Sequence, residues 1–102
     1  MKHLVLIVHA NFQSELADIL RSIDVIDAFT LATVEGHGTQ SEDNQFLSTR
    51  DKVVGYTPHV RVDLLLEKIH ISSVLAALRE SNIGLSKHGI YWITNVEEFN
   101  RL

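Results

Sequence analysis

The chain has 102 residues, a formal net charge of −4 and no cysteine. A chain this short makes a single domain, 1–102, and buries only about two-thirds of its unfolded surface, so an oligomer interface is a natural addition. The acidic balance speaks against a general nucleic-acid binder, and the missing thiols exclude disulfides and thiolate metal sites while fitting a reducing, cytoplasmic setting.

Leu4 to Val8 is continuously apolar, as in a strand buried on both faces. His3, Val5, Ile7 and His9 share one of its faces, and Leu4, Leu6 and Val8 share the other. The run is too short for a secretory signal, His9 ends it, and no small-residue cleavage site follows. No segment approaches the ~20 apolar residues that span a bilayer, so the chain is not expected to insert in a membrane. Asn11 is placed as the N-cap of a first helix over about 11–22, in which Phe12, Leu16, Ile19, Leu20 and Ile23 recur at helical spacing.

A second strand is expected over 25–34, with Phe29 and Leu31 on one side and Ala28, Thr30 and Ala32 on the other. Val34-Glu35-Gly36-His37-Gly38-Thr39-Gln40 then opens a polar excursion that lasts to Tyr56. From Thr39 to Lys52 only Phe46 and Leu47 are strongly apolar. A loop that long in a compact domain points to function, and Gly36 and Gly38 permit close backbone approach at its base.

Thr57–Leu66 is the clearest strand: Val60, Val62 and Leu64 alternate with His59, Arg61 and Asp63, and Pro58 sits near its start. Lys68 to His70 reads as a connector. A second helix over about 71–82 carries the stripe Ile71, Val74, Leu75 and Leu78, and Gly84 is a left-handed cap after it. Ile90–Thr94 is the last strand, and 96–102 is a polar tail with room for one helical turn. The order predicts an α+β fold: a ferredoxin-like βαββαβ sandwich of four antiparallel strands under two helices, with a long loop between strands 2 and 3.

Six histidines carry most of the candidate chemistry. The first and third strands are expected to be parallel neighbours, which would bring His3 near His59 on the helix-free face. That group reads either as a polar layer at an interface or as a metal- or proton-sensing cluster. His37, with Glu35, Gln40, Glu42 and Asp43 close in sequence, is a candidate ligand for a divalent metal, and a solvated acidic loop is the alternative. Glu35, His37, His3 and His59 are the candidate metal ligands. Lys87 and His88, beside a helix end, are candidates for holding an anion. No Gly-x-Ser-x-Gly or other catalytic dyad is found, so the chain is not read as an enzyme. RNA-binding sheets need aromatics on the central strands, where this chain has Val, Ile, His and Arg.

The run Thr33-Val34-Glu35-Gly36-His37-Gly38-Thr39-Gln40, a loop, and then Pro58-His59-Val60-Arg61-Val62-Asp63 resembles the PII signal-transduction proteins. In that family a strand ends in Gly-aromatic-Gly-x-Gln, a long T-loop follows, and the next strand opens with Pro-x-Val. The resemblance covers nearly the whole chain. It implies a compact homotrimer with ligand clefts between subunits. It also implies a T-loop, about 37–56 here, that reaches a partner such as a membrane transporter or efflux pump. Gly36, His37, Gly38 and Gln40 would then contact the ligand, with Lys87, His88 and Arg101 supplying positive charge. The ligand so implied is a nucleotide or a divalent metal ion. Three departures are plain. Ser86-Lys87-His88 stands where the family has Gly-Asp-Gly, no tyrosine occurs between Thr39 and Gly55, and Arg101 is alone at the C-terminal end. The chain is most similar to a divergent PII-like group that occurs beside heavy-metal efflux pumps. Two functions are therefore expected: a regulator that senses a small ligand or metal ion and signals through its T-loop, or a divalent-metal-binding accessory protein of a heavy-metal efflux system.

Overall fold

The computed structural model describes residues 1–38, 55–81, 84–85 and 89–102. Four strands, β1 (Lys2–His9), β2 (Phe29–Gly36), β3 (Thr57–Leu66) and β4 (Ile90–Asn95), form one antiparallel sheet in the order β2-β3-β1-β4. Among the described residues, two helices, α1 (Gln13–Ser22) and α2 (Lys68–Arg79), complete a mixed α+β architecture compatible with a ferredoxin-like fold. No helix among the described residues is long and apolar enough to cross a membrane.

The alternation of side chains builds the core. Leu4, Leu6 and Val8 from β1 and Val60, Val62, Leu64 and Leu66 from β3 are buried with Leu16 and Leu20 of α1 and Ile71, Val74, Leu75 and Leu78 of α2. The apolar stripes of both helices are therefore the faces that meet the sheet. Val5, on the opposite side of β1, is also fully buried, between Asp63 of β3 and Trp92 of β4. The other face carries His59, Arg61 and Asp63, all half-buried.

Several expected boundaries move. The α1 segment is preceded by a 3₁₀ turn over Ala10–Phe12, and the residue that caps it is His9, not Asn11: the Asn11 N–H donates to His9 Nδ1 at 3.0 Å. The β2 strand starts at Phe29, where pairing with Leu64 of β3 begins, while Val25 and Ile26 pack against the core from the connection. Lys68 to His70 is the first turn of α2 and not a connector. Gly84 has φ +85°, the left-handed conformation that favours glycine. The tail after Asn95 forms no helical turn.

The largest correction concerns β1 and β3, which are neighbours but antiparallel, with His9 opposite His59 and His3 opposite Leu65. The crossover through α1 returns β2 parallel to β1. The strand β3 pairs antiparallel with β2, and it lies between the two, so it must also oppose β1. His3 and His59 are thus about six residues, or roughly 20 Å, apart along the strands and do not approach each other.

Candidate functional site

The end of β2 and the start of β3 form the base from which the chain leaves for residues 39–54. Gly36 pairs with Thr57 and Val34 with His59. The His59 ring lies against the Gly36 backbone: a Cβ there would fall on Nδ1 and Cε1 of the ring, and 3.2 Å from the Thr57 carbonyl oxygen. Glycine at 36 is thus a requirement of space. Gly38 carries no such demand, since a Cβ there meets nothing within 4 Å. His59 also meets His9 in a T-shaped contact with ring centroids 6.2 Å apart. Because Nδ1 of His9 accepts from Asn11, it carries no proton, and the proton of the neutral ring is on Nε2.

Thr57 is fully buried, and its hydroxyl has no hydrogen-bond partner among the described residues. An unmatched buried hydroxyl is unfavourable, so in native proteins such a group calls for a water, an ion or a ligand atom. Beside it, on exposed chain, His37 Nε2 donates to Glu35 Oε1 at 3.1 Å, and the His37 ring lies 5.9 Å from the ring of Tyr56. A shallow depression next to this pair is lined by Thr33, Val34, Glu35, Tyr56 and Pro58.

A second polar group occupies the helix-free face of the sheet. His3 Nε2 donates to Asp63 Oδ1 at 2.7 Å. Arg61 donates to the same carboxylate from Nε (3.1 Å to Oδ2) and Nη2 (3.1 Å to Oδ1). The Arg61 hydrogen bond is the main cause that holds the Asp63 carboxyl below its usual range, and the His3 hydrogen bond adds to it against partial desolvation. The Arg61 guanidinium lies 5.6 Å from the Trp92 ring, which the Val5–Trp92 pairing brings to the same face.

Among the predicted site residues, the structure brings Glu35, Gly36, His37 and His59 to the base of the loop. His3 lies at the far end of β1, and Arg101 is on the exposed tail. Gln40, Lys87 and His88, like Glu42 and Asp43, lie outside the described residues. Among the described residues no three His, Asp or Glu side chains converge as a metal site requires. Sequence reasoning passed over His9, Thr57 and Tyr56 as site residues. Only the β1–β3 and β2–β3 register brings them to the same end of the sheet.

A family model described as "Protein of unknown function (DUF3240)" matches residues 1–102. The crystal structure of a DUF3240 family protein from Shewanella baltica OS155 is similar to this chain, with a TM-score of 0.76 and 18% identity over 99% of this chain and 94% of that one. At that identity the likeness speaks to fold alone. No curated protein matches the chain. By the match along its whole length, this chain belongs to the DUF3240 family.

Proposed function

We propose that this protein is a PII-like regulatory module and not an enzyme: a homotrimer that takes a small ligand or a metal ion in a cleft between subunits at the loop base. Binding there orders the loop over about 37–56, which then meets or leaves a partner such as a membrane transporter. The observation that carries this reading is Thr57. Its buried hydroxyl lacks a partner among the described residues, next to Gly36, whose missing Cβ leaves room for the His59 ring. The assembly is supported by β4, an edge strand on which Ile90, Tyr91, Trp92 and Ile93 are 61%, 45%, 40% and 40% exposed. Such an edge is a template for a second chain unless it is covered.

The test is a thermal-shift screen with ATP, ADP, AMP, cyclic AMP, 2-oxoglutarate, bicarbonate, Zn²⁺, Cu²⁺, Co²⁺ and Ni²⁺, alongside light scattering for mass. A ligand at one hundred times its dissociation constant adds about 2.7 kcal/mol to stability. The expected result is a trimer, one stabilising compound, and loss of that shift in Thr57→Val, which keeps the shape and removes the hydroxyl. A monomer that no compound stabilises would sink the reading.

A second reading, a divalent-metal-binding accessory protein of a heavy-metal efflux system, rests on the exposed His37–Glu35 pair at 3.1 Å. It requires that metals alone stabilise the protein and that His37→Ala removes their effect while Thr57→Val does not.

A further inference from the structure

At the same end of the sheet as the loop base, but on its helix-covered face, a half-open pocket of about 140 Å³ lies among β1, α2 and β4. Leu6, Val8, Leu75, Leu78 and Leu85 form its apolar walls, and Arg79 and Tyr91 stand among its lining residues. The two polar side chains come together because Arg79 is the last residue of α2 and Tyr91, paired with Leu6, shares the helix-facing side of β4. Arg79 Nη2 donates to the Tyr91 hydroxyl at 3.3 Å, and its guanidinium carbon lies 5.8 Å from the Tyr91 ring. Arg79 makes no ion pair with any carboxylate among the described residues. A guanidinium held against a ring beside an apolar recess, with no carboxylate on it among the described residues, is the arrangement that recognises a carboxylate on an apolar body.

We propose that this pocket binds a small monocarboxylate whose apolar part is about the size of one benzene ring. The size follows from volume, since an apolar cavity of roughly 150 Å³ accommodates one benzene molecule. A single anionic group follows from the single guanidinium. Arg79 holds that anion against the partial negative charge at the C-terminus of α2, so the affinity depends on its side chain. The Tyr91 hydroxyl offers a second donor once the carboxylate takes over the Arg79 contact. Gly89 lines the pocket where the chain packs closely: a Cβ there would lie 3.0 Å from the Leu85 carbonyl oxygen and 3.2 Å from Val8 Cγ1. This site lies within one subunit and does not rest on the regulatory reading above.

The test uses benzoate, with benzyl alcohol as its neutral counterpart and acetate as the anion without an apolar body. Each is titrated into the labelled protein and followed by amide and methyl NMR shifts. Benzoate is expected to saturate with a dissociation constant of about 1 mM, as suits a ligand this small, and to shift Leu78, Leu85 and Tyr91 together. Benzyl alcohol and acetate should bind at least about tenfold more weakly. Arg79→Met, at an exposed position, should weaken benzoate by a similar factor and leave benzyl alcohol unchanged. Leu85→Trp should fill the recess and abolish both. Equal binding of benzoate and benzyl alcohol, unchanged benzoate affinity in Arg79→Met, benzoate shifts centred elsewhere, or no saturation would each overturn the proposal.

Discussion

Gly36 and His59 share one space: the ring of His59 occupies the position that a side chain at 36 would need. This contact ties the last residue of β2 to the third residue of β3, so the loop leaves the sheet from a fixed point. Gly36→Ala should therefore lower stability by about 1–3 kcal/mol, the usual cost of forcing extra volume into a packed site. In a His59→Ala background the same substitution should cost much less. Thermal or urea unfolding of the four proteins gives the coupling directly, and additive effects would show that the ring has room to move aside.

The Asp63 carboxyl is held below its usual range, so it stabilises the fold in its ionised form. That contribution is fully present above the unfolded carboxyl value of about 3.9 and disappears as the pH falls through the lower folded value. Asp63→Asn should cost at most about 1 kcal/mol at pH 7, because the Arg61–Asp63 pair is about one-third exposed. The difference from the wild type should shrink below about pH 4. Urea titrations at pH 7, 5, 4 and 3 check both the sign and the window.

His9 ends β1 and caps the turn that follows, through the Asn11 N–H to Nδ1 bond. Nitrogen-15 spectra of the imidazole should show the neutral ring as the Nε2–H tautomer, with Nδ1 as the acceptor. His9→Ala should cost at least the ~1 kcal/mol of a lost cap, and His9→Asn, which can still accept that bond, should cost less.

Leu16 and Leu20 on α1 are completely buried against the sheet. Leu16→Ala should cost about 2–5 kcal/mol, whereas Leu65→Ala, at a position 39% exposed, should cost far less. A chemical denaturation series on single variants measures this contrast.

The exposed side chains of the edge strand β4, Trp92 on the helix-free face and Ile93 on the helix-facing one, test the assembly. Trp92→Ser and Ile93→Lys should leave the monomer fold intact by circular dichroism and reduce the mass seen by light scattering to that of one chain. An unchanged mass in both variants would place any interface elsewhere.

Local pattern alone was enough for much of this molecule. Thr57–Leu66 was legible to the residue because Val60, Val62 and Leu64 alternate strictly with His59, Arg61 and Asp63. The stripe Ile71, Val74, Leu75 and Leu78 is the buried face of α2, although the helix starts three residues before the stripe, since its first turn is polar or exposed. Val25 and Ile26 read as strand because they are apolar and β-branched, yet they pair with no strand among the described residues, and pairing begins only at Phe29. Propensity describes a residue, whereas a strand exists only where its neighbour is.

The sequence by itself determined the apolar faces of β1, β3 and both helices and the strand–helix–strand order on either side of the loop, because burial periodicity is a local property. Only the tertiary structure decided that β1 opposes β3, which separates His3 from His59 and sets His9 beside His59 instead. It alone placed Arg61 and His3 on one carboxylate, and Arg79 on Tyr91 at the mouth of an apolar recess. Strand direction and register are set by how the whole chain crosses over and returns, and no short stretch of residues carries that information.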